Sequence, residues 1–271
     1  MTLFPQTLVS HIGQTFILAY QENTDRLAAW LGHAGCQVEV LRQIHRPDYR
    51  RYSRSYLCLL NHRKAWERAL LSERPTLVVE ADFVPVANFA QLPPPYPPDD
   101  DHLGIAWLYT CAAQIYTITD RGYAEGYSTA MVAYVVTPQS AWRLIELAES
   151  VKDRPGPETY TPWDSGIEYY LRDRRFHNYV PWRNYGEHGG IPNPEHQQNN
   201  LSTAHRADVL YGPLAFEPPY GDVLQQRAYG RIKGLGRLLL NKYLRGPVLR
   251  GSTHPARLLR FAIGRQLTLR L

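Results

Sequence analysis

Long apolar runs are missing from this 271-residue chain: no stretch approaches the roughly 20 uninterrupted apolar residues a spanning helix needs. Cysteine is scarce, with Cys36, Cys58 and Cys111 odd in number and widely spaced. That spacing gives no metal-type cysteine cluster, and the three read as buried, reduced thiols of a cytosolic protein. The segment MTLFPQTLVSHIGQ lacks the basic start and apolar core of a secretory signal, so the expected address is cytoplasmic. No internal repeat is visible.

Acidic residues are almost absent from one region. From Asp222 onward there are 11 Lys/Arg against one acid, Asp222 itself, so residues 222–271 carry +10. The first 221 residues hold 19 basic and 24 acidic groups, or −5. The net charge of +5 therefore belongs to an extension, and the chain divides into a body, 1–221, and a basic tail, 222–271. Tyrosine (19), tryptophan (6) and proline (21) are plentiful, which suits long aromatic-lined loops.

The body opens β-α-β. TFILAYQ (15–21) is a short apolar strand. A helix follows with Leu27, Trp30, Leu31 and Ala34 at helical spacing, a Thr24 or Asp25 cap and Gly35 at its end. CQVEVLRQI alternates as a strand, and YLCLLNHRKAWERALLSE places Leu59, Trp66 and Leu70 on one helical face. TLVVEADFVP (76–85) is the next strand, and its apolar run ends in two carboxylates, Glu80 and Asp82, separated by Ala81. Strands alternating with helices predict a mostly parallel, helix-covered sheet whose ligand crevice lies at the strands' carboxyl ends. LPPPYPPDDDH (92–102) reads as a surface loop with a solvated acidic run. GIAWLYTCAAQIYTI (104–118) and YSTAMVAYVVT (127–137) are strand-rich. Thr137 caps the next helix and Thr161 another, each with proline at the first position. Residues 185–202 read as a long functional loop. In the tail, Ala228, Ile232, Leu235, Leu239 and Tyr243 line one helical face and arginines the other, a pattern that favours an anionic lipid surface through 223–245.

An acid-x-acid pair at a buried strand's end offers hard oxygen ligands for Mg²⁺ or Mn²⁺, although strands also end in acids for no chemical reason. Several ordered blocks sharpen the choice. FILAYQENTDRLAAWL, YLCLLNHRKAWERAL, TLVVEADFVP, STAMVAYVVTPQSAWRLIE, TPWDSGIEYYL and HQQNNLS, together spanning roughly residues 15–202, resemble blocks of glycosyltransferase family 25, the lipopolysaccharide-type galactosyltransferases. The resemblance implies a GT-A-like fold and transfer of a hexose from a nucleotide donor, a UDP-sugar, to a glycan or lipid-linked saccharide acceptor. It makes Asp82 the main metal ligand, assigns Glu80 to the metal or the donor ribose, and puts Arg26 near the donor phosphates. Two positions depart from the family pattern: Ala81 stands where a further carboxylate is usual, and Asn61 replaces a serine before His62.

Each residue also has a plainer assignment. Arg26 is equally a surface arginine beside a helix cap, and His62 either lines the donor site or is a satisfied structural histidine. Asp164, matching the family's Pro-x-Asp, is the candidate base for the acceptor hydroxyl's proton. Three residues after Thr161, it equally suits a helix start. Glu187, His188 and His196 complete a metal or acceptor site or are ordinary loop residues. Three functions remain: a glycosyltransferase resting on the inner face of a membrane, an inactive sugar-binding or scaffold relative, and a basic-tailed nucleic-acid protein. The acidic body argues against the last, and no nucleic-acid partner is expected.

Overall fold

A computed structural model of the chain describes residues 6–111, 114–190, 205–218, 225, 228, 230–232 and 255–267. Ten strands occur among them: β1 Gln14–Ala19, β2 Val38–Arg42, β3 Thr76–Glu80, β4 Phe83–Pro85, β5 Leu103–Trp107, β6 Gln114–Ile118, β7 Ala124–Tyr127, β8 Ala133–Val136, β9 His177–Val180 and β10 Gly186–His188. The helices are α1 Leu8–His11, α2 Asp25–His33, α3 Arg54–Ala69, α4 Pro138–Asp153, α5 Ile167–Asp173 and α6 Pro255–Leu267.

Eight strands form one sheet in the order β2-β1-β3-β8-β5-β9-β7-β6, while β4 and β10 pair separately. The pairings point β2, β1, β3, β5, β9 and β6 one way and β8 and β7 the other. The sheet is thus mostly parallel with two reversed strands, a mixed α/β arrangement. Both of its faces are buried, which explains why β1 and β3 read as continuous apolar runs. Phe16, Leu18, Val78, Tyr134 and Val136 face the core under α3, α4, α5 and α6, whereas Ile17, Leu77, Val79 and Val135 face α2 and the segment around Phe83, Phe89 and Tyr96.

The caps explain the helix starts. Ser53 Oγ accepts from Tyr56 N at the head of α3, and Thr137 with Ser140 forms a reciprocal capping box on α4 behind Pro138. At α2 the Thr24 side chain makes no capping bond; its hydroxyl accepts from Arg42, and Asn23 Oδ1 takes the Asp25 N–H. Gly35, with φ of +94°, turns the chain out of that helix.

Several expectations are corrected. Pro94, Pro95, Tyr96 and Pro97 are buried, so the proline-rich segment is a packed wall rather than a surface loop. Its acids are only partly solvated: Asp99 is exposed and pairs with Arg121, but Asp100 accepts from the Tyr179 hydroxyl at 2.7 Å and the His177 ring at 3.0 Å. Within the strand-rich segment 127–137, Tyr127 closes β7 and residues 133–136 form β8. Thr161 does not cap a helix; a 3₁₀ turn over Trp163–Gly166 intervenes and α5 begins at Ile167. Residues 186–188, expected in a loop, form β10, whose ladder with β4 decides the site. From the basic tail, α6 packs onto the body with Leu258, Phe261, Ala262 and Arg265 buried. Most of the amphipathic segment 223–245 lies outside the described residues.

Candidate functional site

The carboxyl ends of β1, β2 and β3 and the first half of α3 enclose a cleft of about 780 Å³. Glu80 closes β3 into it. The backbone there is fixed on both sides, by Glu80 N donating to Val132 O and Ala81 N to Leu18 O. The chain then turns, and β4 runs antiparallel to β10 with Phe83 opposite His188. Gly189 N donates to Asp82 O at 2.7 Å, extending the ladder to the acidic residue itself. This two-stranded ribbon brings His188 to Asp82 across 106 residues of sequence, with His188 Nε2 3.1 Å from Asp82 Oδ2.

One ligand atom from each of Glu80, Asp82 and His188 lies within 4.8 Å of the others. Among the described residues Asp82 Oδ1 is buried without a hydrogen-bond partner, a costly state for a carboxylate oxygen unless something cationic meets it. Burial opposes ionisation of Asp82, but the His188 charge and hydrogen bond outweigh it and hold the carboxyl below its usual range. Burial likewise works against a charged His188. The facing Asp82 and Glu80 carboxylates prevail and lift it to about 9. The imidazole is steadied by the His205 carbonyl, 3.3 Å from Nδ1. Gly190 passes so close that a Cβ there would meet Asp82 Oδ2 and lie 2.6 Å from His188 Nε2.

Glu187 points elsewhere, as alternation along β10 requires. Its buried Oε1 accepts from the backbone N–H groups of His188 and Ala207, both at 2.8 Å. Burial raises its carboxyl to about 7. Glu187 thus ties β10 to the 205–209 segment and lies outside the cation cluster.

Behind Glu80 stands a hydrogen-bonded aromatic wall. Cys58, His62 and Trp66 recur every four residues on α3 and share a face. His62 is fully buried; its Nε2 lies 3.3 Å from Glu80 Oε1 and its Nδ1 2.8 Å from the Tyr134 hydroxyl, which accepts from Trp66 Nε1 at 2.9 Å. His62 is thus held by buried hydrogen bonds and also lines the cleft. Cys58 Sγ lies 3.9 Å from the same Glu80 oxygen. Cys111 is buried, while Cys58 and Cys36 are half-buried, and none of the three forms a disulfide.

Asp164 sits half-buried in the 3₁₀ turn, its Oδ1 accepting from Ser165 N at 2.8 Å. Burial first, and the Glu80 charge in addition, raise its carboxyl to about 6. Arg26 is exposed on α2 with its guanidinium over the Phe216 ring at 4.6 Å, and is not part of the cleft lining. His196 lies outside the described residues. Arg54, His45, Tyr20 and Tyr49, which sequence reasoning did not single out, also line the cleft. A repeat of four along α3 was the available signal for Cys58.

No protein-family model matches the chain, and no curated protein matches it. Among solved structures, it is similar to the crystal structure of a glycosyltransferase involved in the glycosylation of the major capsid of PBCV-1, at 11% identity and a TM-score of 0.42. That match covers 63% of this chain and 83% of the other. Among the described residues, no helix is long and apolar enough to cross a membrane.

Proposed function

We infer that this protein is a nucleotide-sugar-dependent glycosyltransferase related to family 25, moving a hexose from a UDP-sugar to a glycan or lipid-linked saccharide acceptor. The observation that carries the reading is the meeting of Glu80, Asp82 and His188 at the carboxyl end of β3, with Asp82 Oδ1 buried and unsatisfied among the described residues. Two carboxylates and an imidazole suit Mn²⁺ or Mg²⁺, so the residues present fit a divalent ion even though Ala81 removes one acid. Bound there, the ion would offset negative charge developing on the leaving nucleoside diphosphate.

The chain's own groups do the rest. His62 fixes the Glu80 carboxylate. Arg54, in the cleft lining, would present positive charge to the donor. Asp164, with its carboxyl near 6, is largely ionised at neutral pH yet basic enough to take the acceptor hydroxyl's proton. The basic segment 223–245 would rest the enzyme on the anionic inner face of a membrane, its acceptor at hand. Because α6 is packed into the body, that role is tested by Arg→Gln changes within 227–245 and vesicle sedimentation, not by truncation.

The decisive experiment is thermal shift with UDP-, GDP- and CMP-sugars, with and without Mn²⁺, followed by donor hydrolysis. The reading requires Mn²⁺-dependent stabilisation and slow hydrolysis by one nucleotide sugar, both lost in Asp82→Asn. Stabilisation without any hydrolysis or transfer would leave an inactive, sugar-binding relative; absence of both would end the reading.

A further inference from the structure

Beneath the hard-oxygen cluster lies a second group of ligand atoms with different chemistry. Cys58 Sγ, a nitrogen of His62 and a Glu80 oxygen all lie within 4.8 Å of one another. Two of these atoms come from successive turns of one rigid helix and the third from the end of a central strand, so the arrangement does not depend on a loop. All three residues line the cleft, which gives an ion a way in.

The spacings suit a small tetrahedral ion. Zinc bonds of about 2.0 Å to nitrogen and oxygen and about 2.3 Å to sulfur set N···O edges of about 3.3 Å and S···O edges of about 3.5–3.7 Å. The corresponding separations are 3.3 Å for His62 Nε2 to Glu80 Oε1 and 3.9 Å for Cys58 Sγ to the same oxygen. The far nitrogen of His62 is already held by the Tyr134 hydroxyl, itself tied to Trp66, which orients the imidazole as an outer-shell partner orients a zinc ligand.

We propose that Cys58, His62 and Glu80 form a separate site for a thiophilic ion, Zn²⁺, which regulates the cleft by withdrawing Glu80 from the cluster it shares with Asp82 and His188. On binding, a Zn–S bond forms as the Cys58 thiol passes its proton to solvent, with no change of oxidation state. Three protein ligands leave the fourth position to water. Softness separates the two groups: thiolate and imidazole select zinc, whereas the outer cluster offers no sulfur.

Cobalt reports the site directly, because a thiolate ligand gives Co²⁺ an intense near-ultraviolet charge-transfer band. The full-length chain titrated with Co²⁺ should develop that band with one equivalent and lose it on adding Zn²⁺. Cys58→Ser should abolish the band; Asp82→Asn should retain it. A second readout is the Mn²⁺ electron paramagnetic resonance signal: Zn²⁺ should weaken Mn²⁺ binding in the native chain and cease to do so in Cys58→Ser. The second readout rests on the outer cluster binding Mn²⁺, while the cobalt band does not, so failure of the proposed function leaves the first test intact. A band that persists in Cys58→Ser, a band lost in Asp82→Asn, or no thiolate band at saturating Co²⁺ would each overturn the proposal.

Discussion

Replacing Arg265 with methionine should be among the most damaging single changes in α6, although this helix lies in the basic tail. Arg265 is fully buried and grips Asp208 with two nitrogens, Nε at 3.1 Å from Oδ2 and Nη2 at 2.8 Å from Oδ1. The same guanidinium donates to Thr110 Oγ1 at 2.7 Å and to the carbonyls of Pro181 and Trp182. Methionine keeps much of the volume but takes the guanidinium away from the buried Asp208 charge, which Asn184 Nδ2 meets at 2.9 Å. Removing one partner of a buried pair costs about 3–5 kcal/mol, a large share of the roughly 5–15 kcal/mol that holds a domain folded. At about 2–4 °C per kcal/mol for a chain near this size, Tm should fall by about 6–20 °C. Urea unfolding followed by tryptophan fluorescence measures the loss. Arg257→Gln is the control on the same helix: its pair with Asp120 is 49% and 84% exposed and should matter by about 0–1 kcal/mol. A loss below about 1 kcal/mol in Arg265→Met, or equal losses in the two variants, would refute the docking of α6 through this pair.

Three further outcomes are expected. Tyr134→Phe leaves both the His62 Nδ1 and Trp66 Nε1 groups without their buried partner and should cost about 1–3 kcal/mol in urea unfolding. Gly190→Ala pushes a methyl group against Asp82 and His188 and should weaken Mn²⁺ binding roughly 10–100-fold by calorimetry while circular dichroism stays native. Asp100 is held below the usual carboxylate range: burial opposes this, but hydrogen bonds from Tyr179, His177 and the His102 N–H outweigh it. A depressed folded value means that its stabilisation is present above the unfolded value, near 3.9, and is lost as pH falls through the folded one. Asp100→Asn should therefore lower the urea midpoint at pH 7 and flatten its decline below about pH 4; an unchanged acid limb would remove Asp100 from the account.

The α/β class was legible because both sheet faces are buried, which leaves runs such as Leu77-Val78-Val79 and helical spacings such as Leu27, Leu31. The α4 cap was equally plain, since Thr137, Pro138 and Ser140 act within one turn. The start of α5 was not: Thr161 and Pro162 carry the same local signature, but a 3₁₀ turn placed Trp163 against His62 and Trp66. Burial of the proline-rich segment was also hidden, because proline excludes helix and central strand without saying which side of the loop meets the core.

For the site, sequence by itself determined Glu80 and Asp82, because two acids one residue apart at a strand's end share a side and leave the core together. It also set Cys58, His62 and Trp66 on one face of α3, by helical period alone. Only the tertiary structure decided what those groups meet. The β4–β10 ribbon brought His188 to Asp82 and turned Glu187 away, and the sheet order put Tyr134 behind His62. Such pairings join residues 72 to 106 positions apart, and no local propensity encodes them. They follow from which apolar faces find each other when the sheet closes.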